Sequence, residues 1–447
     1  MERDLIATLG EWKSAWNRKP LVLRGARQVG KTWALKEFGG RYYDNVAYFS
    51  LEKINSDTPS EFASFFETTN DPHRIVSSLA LASGTPINPG TTLLILDEIQ
   101  DCPAALNSLK YFSESAPEIH VACAGSLLGV ALASESQSFP VGKVTFRDLR
   151  PMTFSEFLRA TGAGNLDEYC RSIDSPGGIP DLFANQLTEK LQQYFVVGGM
   201  PEAVDAWNNT RDYSAVDQVL DDLIDSYERD FAKHGGQTGF AKISRIWNSL
   251  PTQLARENKK FLFGLVREGA RAREYEDALR WLESSGLVTR VTRSAMPGVP
   301  LAAHDEPRAF KLYCLDVGLL RRLARLHPSA FGMKQNMYAQ FKGAFAENYA
   351  LQALVGQLDA APRYWMNDKP QHEVDFLAQV GNTIVPIEVK AGENVKSPSL
   401  HYYTRKYADS TPLAMRMSLR NLEYEGGVLS LPLYMADHAV RLAEALL

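Results

Sequence analysis

The chain has 447 residues, 45% hydrophobic and 23% charged, with a formal net charge of −5. That length exceeds one ordinary domain, and that balance buries sizeable cores without a membrane. No apolar run approaches the roughly 20 residues that span a bilayer, and Met1–Trp16 lacks the basic-then-apolar layout of a secretory signal. Cys102, Cys123, Cys170 and Cys314 are scattered without metal-binding pairs, so a cytoplasmic location with no membrane partner is expected. The acidic balance excludes a protein that coats nucleic acid with its whole surface, though not one with a local basic face.

In chain order, short apolar runs at Leu21–Leu23, Val46–Phe49, Leu93–Leu96 and His120–Ala124 read as buried parallel strands. Helical spacing separates them at Trp33–Phe38 and Ala104–Ser113, which is a doubly wound α/β pattern. Ser172–Pro180 reads as a loop, and Leu187–Leu250 is mainly helical in period, with a helix stop and restart at Gly198-Gly199-Met200-Pro201. A helix at Tyr275–Ser285 places Tyr275, Ala278, Leu279 and Leu282 on one face. Strands at Leu287–Thr292 and Phe310–Leu315 flank a turn-rich tip at Pro297–Pro307, so a winged helix is expected there. The last third reads as a helix at Gly343–Leu358, strands at Arg363–Met366, Glu373–Gln379 and Thr383–Lys390, and a mixed helical tail.

The stretch Gly25-Ala26-Arg27-Gln28-Val29-Gly30-Lys31-Thr32 fits G-x-x-x-x-G-K-[ST] between a strand and a helix. Backbone N–H groups of such a loop turn inward around phosphates, aided by the positive end of the helix. Lys31 would neutralise phosphate charge, and the Thr32 hydroxyl would ligate Mg²⁺. The strand Leu93–Leu96 delivers Asp97 beside the loop to hold that Mg²⁺, and Glu98 to polarise an attacking water. At the next strand end, Ser126 either contacts the γ-phosphate or the water, or simply ends the strand.

Near the C-terminus, His372-Glu373-Val374-Asp375 and Ile387-Glu388-Val389-Lys390 read as paired strands joined at Gly381-Asn382. Period-2 alternation puts Glu388 and Lys390 on one face, and pairing brings Asp375 beside Glu388. Two carboxylates and a lysine converging suit a divalent-metal phosphodiesterase, with Asp375 and Glu388 as metal ligands and Lys390 orienting water. The bland alternative is an ordinary Glu–Lys pair on a strand face. His372 reads as a satisfied strand-end histidine or as a ligand. Tyr402, Tyr403, Arg405, Lys406 and Tyr407 read as a helix face or as a base-stacking group.

Gly25–Thr32, Leu96–Gln100, Gly125-Ser126, Leu149–Phe157 and Gly198–Pro201 together resemble prokaryotic AAA-type ATPases fused to a C-terminal restriction-endonuclease-like domain. Asp375 followed by Glu388-x-Lys390 resembles the PD-(D/E)xK nuclease pattern, without its proline, and Glu347 stands where that family often has a further acid. The resemblance implies binding of ATP with Mg²⁺ and slow hydrolysis, coupled to a conformational change. Taken with the element order, four domains are expected: a P-loop core at 1–165, a helical lid at 166–240, a winged-helix-like domain at 241–330 and a nuclease-like domain at 331–447. Many such ATPases use an arginine finger; Arg147, Arg150 and Arg229 are candidates, none assignable, so a ring is not supported. Between Arg229 and Arg273 ten basic residues face only Asp230, Glu257 and Glu268, which suits contact with DNA phosphates or a solvated helix face. The expected partners are nucleotide and DNA, with a protein partner or a second copy of the chain left open. The alternative is a nucleotide-switched DNA- or protein-binding module that does not cut.

Overall fold

The computed structural model describes residues 1–54, 58–126, 128–133, 142–256, 259–331, 339–367, 372–392 and 396–447. The chain forms two compact units, one of Glu2–Arg150 with Ser284–Gly286, the other of Pro151–Glu283 with Leu287–Leu447.

The first unit is built on a five-stranded, all-parallel sheet. Its strands are β1 (Leu21–Arg24), β2 (Asn45–Ser50), β3 (Thr92–Asp97), β4 (His120–Ala124) and β5 (Thr145–Asp148), in the order β2-β3-β4-β1-β5. Every residue of β3 and β4 is buried, as expected of strands covered on both faces. The helix Lys31–Tyr42 follows β1 and turns Ala34, Leu35 and Phe38 inward at helical spacing. Pro103–Ser115 does the same with Ala105, Leu106, Leu109 and Phe112. Four of the five strands match the apolar runs. The fifth, β5, leaves Arg147 and Asp148 exposed at the sheet edge, so it carries no apolar signal.

The second unit begins with helices, among them Asp181–Val197, Pro201–Thr210 and the 42-residue Tyr213–Leu254. The expected stop and restart lies between the first two. Gly198 sits at φ +77°, and a Cβ there would collide with the Asp316 carboxylate and the Gly318 backbone. Asp316 is fully buried, accepts hydrogen bonds from the Gly199 N–H (2.7 Å) and the Leu319 N–H (3.1 Å), and so pins the turn. Burial raises its carboxyl above the ordinary range, and those N–H donors oppose the shift.

A mixed eight-stranded sheet completes the unit. It comprises β6 (Val288–Ser294), β7 (Asp305–Cys314), β8 (Arg363–Met366), β9 (Glu373–Val380), β10 (Thr383–Val389), β11 (Ala414–Ser418), β12 (Glu423–Glu425) and β13 (Val428–Pro432). The order is β12-β13-β11-β10-β9-β8-β6-β7. The helix Ala339–Leu354 precedes the antiparallel run β8–β9–β10, and the helix Pro398–Lys406 crosses over to β11, parallel to β10. The hairpin read as a wing is β6–β7; β6 pairs with β8, so the hairpin continues the C-terminal sheet. The tail read as mixed helical does hold helices at Pro398–Lys406 and Ala439–Glu444, with three strands, β11 to β13, between them. Met415 and Met417 alternate with Arg416 and Ser418, and Tyr424 with two glutamates, but over five and three residues the period is too short to mark a strand.

Candidate functional sites

The loop Gly25–Thr32 runs from the C-terminal end of β1 into the helix Lys31–Tyr42, where open parallel sheets bind ligands. Gly25 passes so close to the Leu149 carbonyl that a Cβ would collide with it, which is why the loop starts with glycine. Lys31 is only 6% exposed, and its ammonium donates to the carbonyls of Gly25 (2.9 Å) and Ala26 (2.8 Å). Burial pulls its pKa down from 10.5 to about 8, with the Glu98 and Asp97 carboxylates opposing the shift.

The Thr32 hydroxyl donates to Asp97 Oδ2 at 2.6 Å, and the Tyr48 hydroxyl donates to the same oxygen at 3.0 Å. Asp97 Oδ1 accepts the Glu98 N–H (3.0 Å). Glu98 itself has a left-handed backbone, φ 49°, just past the end of β3. Its Oε2 accepts from Gln100 Nε2 (2.6 Å), the Ser126 N–H (3.0 Å) and the Ser126 hydroxyl (3.1 Å). Ser126 therefore reaches Glu98, a contact that neither sequence reading of this residue included. Sequence reasoning missed Gln100 and Tyr48, two polar side chains that donate to Glu98 and Asp97.

Of the arginine candidates, Arg147 is exposed and donates to the Phe146 carbonyl (3.0 Å). Arg150 is half-buried and Arg229 exposed.

The C-terminal carboxylates converge as the hairpin pattern implies. Asp375 on β9 accepts the Val389 N–H of β10 at 2.8 Å, and Lys390 Nζ lies 2.6 Å from Glu388 Oε1. Glu388 is buried, and its Oε2 accepts the Leu400 N–H (3.1 Å). Burial alone would lower the Lys390 ammonium, but the Glu388 carboxylate outweighs it and holds the pKa above the ordinary value. Glu347 joins the cluster from the helix Ala339–Leu354, accepting from the Tyr313 hydroxyl (3.2 Å) and ion-pairing with Lys259. Burial would raise Glu347, yet the Lys259 and Lys311 ammoniums hold it low. Asp375 rises to about 7, through burial first and then the Glu347 charge, against the pull of Lys311.

Lys259 and Lys311 are absent from any sequence motif. Lys311 is completely buried on β7, ion-paired with Glu373 and 3.9 Å from Asp375 Oδ1. Two strands separate β7 from β9 in the hydrogen-bonded order, so the sheet must curl to bring them together. A lysine in the midst of Ala309–Cys314, all of it buried, was the available signal, since such a charge needs a partner.

His372 stacks flat on Tyr402, rings 4.3 Å apart, and ion-pairs with none of these groups. Tyr403 and Tyr407 pack on Trp365, with Lys406 over the rings of Trp365 and Tyr407. That group is a packed helix face, with Tyr402 its partly exposed edge. In the basic stretch, Phe261 is buried against Phe310.

Among the described residues, no group of three or more His, Cys, Asp or Glu side chains is gathered to hold a metal ion. No described helix is long and apolar enough to cross a membrane. The four cysteines are buried and free.

Residues 17–158 match the model of an AAA domain. Residues 188–330 and 342–435 match two domains of unknown function, DUF8612 and DUF4143. No curated protein matches the chain. Solved structures with a similar chain include the Walker-type ATPase PABY2304 of Pyrococcus abyssi, at 14% identity, covering 72% of this chain and 95% of that one, TM-score 0.44. The Aeropyrum pernix ORC2 protein is 13% identical over 72% of this chain and 92% of its own, TM-score 0.32. The Thermotoga maritima RuvB Holliday junction branch migration motor is 13% identical over 70% and 92%, TM-score 0.31. Resemblances this loose carry no argument about what the chain does. What the comparisons support is an AAA-type match over residues 17–158, followed by matches to two domains of unknown function.

Proposed function

We propose that the protein is an AAA-type ATPase that binds and hydrolyses ATP with Mg²⁺ and couples this to a restriction-endonuclease-like C-terminal domain that acts on or binds DNA. The observation that carries the nucleotide half is the pairing of Thr32 with Asp97 at 2.6 Å, beside a lysine aimed into its own loop carbonyls. Both Thr32 and Asp97 offer hard oxygens, so they fit Mg²⁺ and are the residues that would hold it; when bound, the ion neutralises phosphate charge. Lys31 exchanges its two loop carbonyls for phosphate oxygens. Glu98 is the base that orients water, once it is released from Gln100 and Ser126. Lys31→Ala should abolish ATP binding in a calorimetric titration, while Glu98→Gln should keep binding and lose phosphate release. Binding undiminished in Lys31→Ala would sink the reading.

The C-terminal half rests on the order helix, three antiparallel strands, helix, parallel strand, with Asp375, Glu388 and Lys390 at the open end of the β9–β10 hairpin. A second reading, a nucleotide-switched module that holds DNA without cutting it, is favoured by one observation. Lysine ammoniums and backbone N–H groups already engage Glu347, Asp375 and Glu388, so this arrangement does not fit a metal centre. Incubation of plasmid and linear DNA with Mg²⁺ or Mn²⁺, with and without ATP, separates the two. Cleavage lost in Lys390→Ala supports the nuclease; nucleotide-dependent DNA binding without product supports the module.

A further inference from the structure

The helix Asp181–Val197 packs Leu187, Leu191 and Tyr194 into the core of the second unit. On its adjoining face Ala184, Asn185, Thr188 and Gln192 recur at helical spacing, small or polar where a packed helix would be apolar. That face lines a cavity of about 730 Å³, within the roughly 300–1,000 Å³ of small-molecule sites. The Thr188 hydroxyl donates to the Ala184 carbonyl (2.7 Å), but no hydrogen bond among the described residues engages the Asn185 or Gln192 amides. One end of the cavity is aromatic, with Phe331 edge-on to Phe195 (6.2 Å) and Phe345 (5.0 Å). The charges of the lining balance, Lys342 and Arg420 against Asp181 and Glu423. Next to Arg420, Asn421 exchanges hydrogen bonds with the Ile179 N–H and carbonyl, 2.8 Å each, and so fixes the lip. Ala346 and Ala391, chain neighbours of Glu347 and Lys390, form the wall on the side of the carboxylate cluster.

Free amides read the edge of a base, aromatic rings cover its face, and a guanidinium takes a phosphate. A balanced lining does not draw in a duplex or a triphosphate, which need a surplus of cations. We propose that this cavity binds one mononucleotide unit, its base against Asn185, Gln192 and the phenylalanines and its phosphate at Arg420. The unit is either an unpaired residue of a DNA strand or a free nucleotide. The strand source rests on the reading of the C-terminal domain as one that acts on DNA; the cavity itself does not.

The test is calorimetric titration of the full-length protein carrying Lys31→Ala, which silences the P-loop. The probes are dAMP, dCMP, dGMP and dTMP singly, and a short mixed-sequence single strand of DNA. At least one mononucleotide should bind with a Kd on the order of 10⁻⁵–10⁻⁴ M. Gln192→Ala and Arg420→Ala should each weaken it roughly tenfold, and Ala184→Phe, which fills the cavity, should abolish it. If Ala184→Phe melts at the working temperature, the truncations at half-buried Gln192 and exposed Arg420 carry the test. A single strand that the mononucleotide displaces, and that Ala184→Phe weakens, identifies the strand as the source. Mononucleotide binding with no such effect on the strand identifies a free nucleotide. No mononucleotide binding at millimolar concentration, or binding that all three substitutions leave unchanged, would overturn the pocket. DNA binding that persisted in that case would leave the reading of the C-terminal domain intact.

Discussion

A buried lysine with its pKa near 8 makes nucleotide binding take up a proton. In the free protein Lys31 is pulled down from 10.5 to about 8 because burial penalises its charge more than Glu98 and Asp97 relieve it. A triphosphate in the loop supplies several negative charges within hydrogen-bond reach, so the bound form keeps the ammonium. At pH 8.5 a group of pKa 8 is about one-quarter protonated, so binding takes up about three-quarters of a proton; at pH 7 the uptake from Lys31 is about a tenth. The γ-phosphate is already ionised at pH 8.5 and adds almost nothing. Calorimetric titrations at pH 8.5 in two buffers of different ionisation enthalpy measure the uptake as a slope. Affinity should also fall as pH rises above 8. The same shift acts on the free protein with the sign reversed from a salt-bridged lysine. The folded pKa lies below the unfolded one, so the unfolded chain binds more protons between about pH 8 and 10.5, and this group makes the protein more stable as pH climbs through that window. The full effect is about 3 kcal/mol, at 1.36 kcal/mol per pKa unit. Tight ATP binding at pH 8.5 with no buffer dependence would refute the argument, because it would leave Lys31 charged in the free state.

Three further outcomes are expected. Ser126→Ala removes a hydroxyl donor from Glu98 and should raise basal phosphate release severalfold, whereas Glu98→Gln should lower it by about 10² or more; a Ser126→Ala rate at or below wild type would show the contact to be structural. Gly198→Ala puts a Cβ against Asp316 at a positive φ and should lower stability by about 2 kcal/mol or more, read as a fall in melting temperature. Tyr403→Ala should cost about 3–5 kcal/mol as a core truncation, and Tyr402→Ala under about 1 kcal/mol. If Tyr402→Ala leaves stability and DNA affinity both unchanged, the residue has no role in either.

The first unit was legible because its sheet is sandwiched. Leu93–Leu96 and His120–Ala124 must be apolar throughout, and a P-loop between a strand and a helix tolerates little variation. Asp375, Glu388 and Lys390 were legible for a similar reason, since period-2 alternation in one hairpin fixes who meets whom. Lys259 and Lys311 were not, because they reach the cluster from far along the chain. Lys259 meets a partner 88 residues away, and periodicity records only local order. The strands after Lys406 were hidden for another reason: β11 is buried on both faces but built from Met, Arg and Ser, and β12 is three exposed residues.

The curl of the eight-stranded sheet has a consequence for inheritance. Lys311 and Tyr313 come from the stretch matched by one family, while Glu347, Glu373 and Asp375 come from the stretch matched by the other. A gene cut between them would leave one product with a naked flank along β8 and a bundle of acids without counter-charges, and the other with a lysine stranded in oil. Neither half is a module that recombination can trade freely, so the two should travel through genomes as one piece.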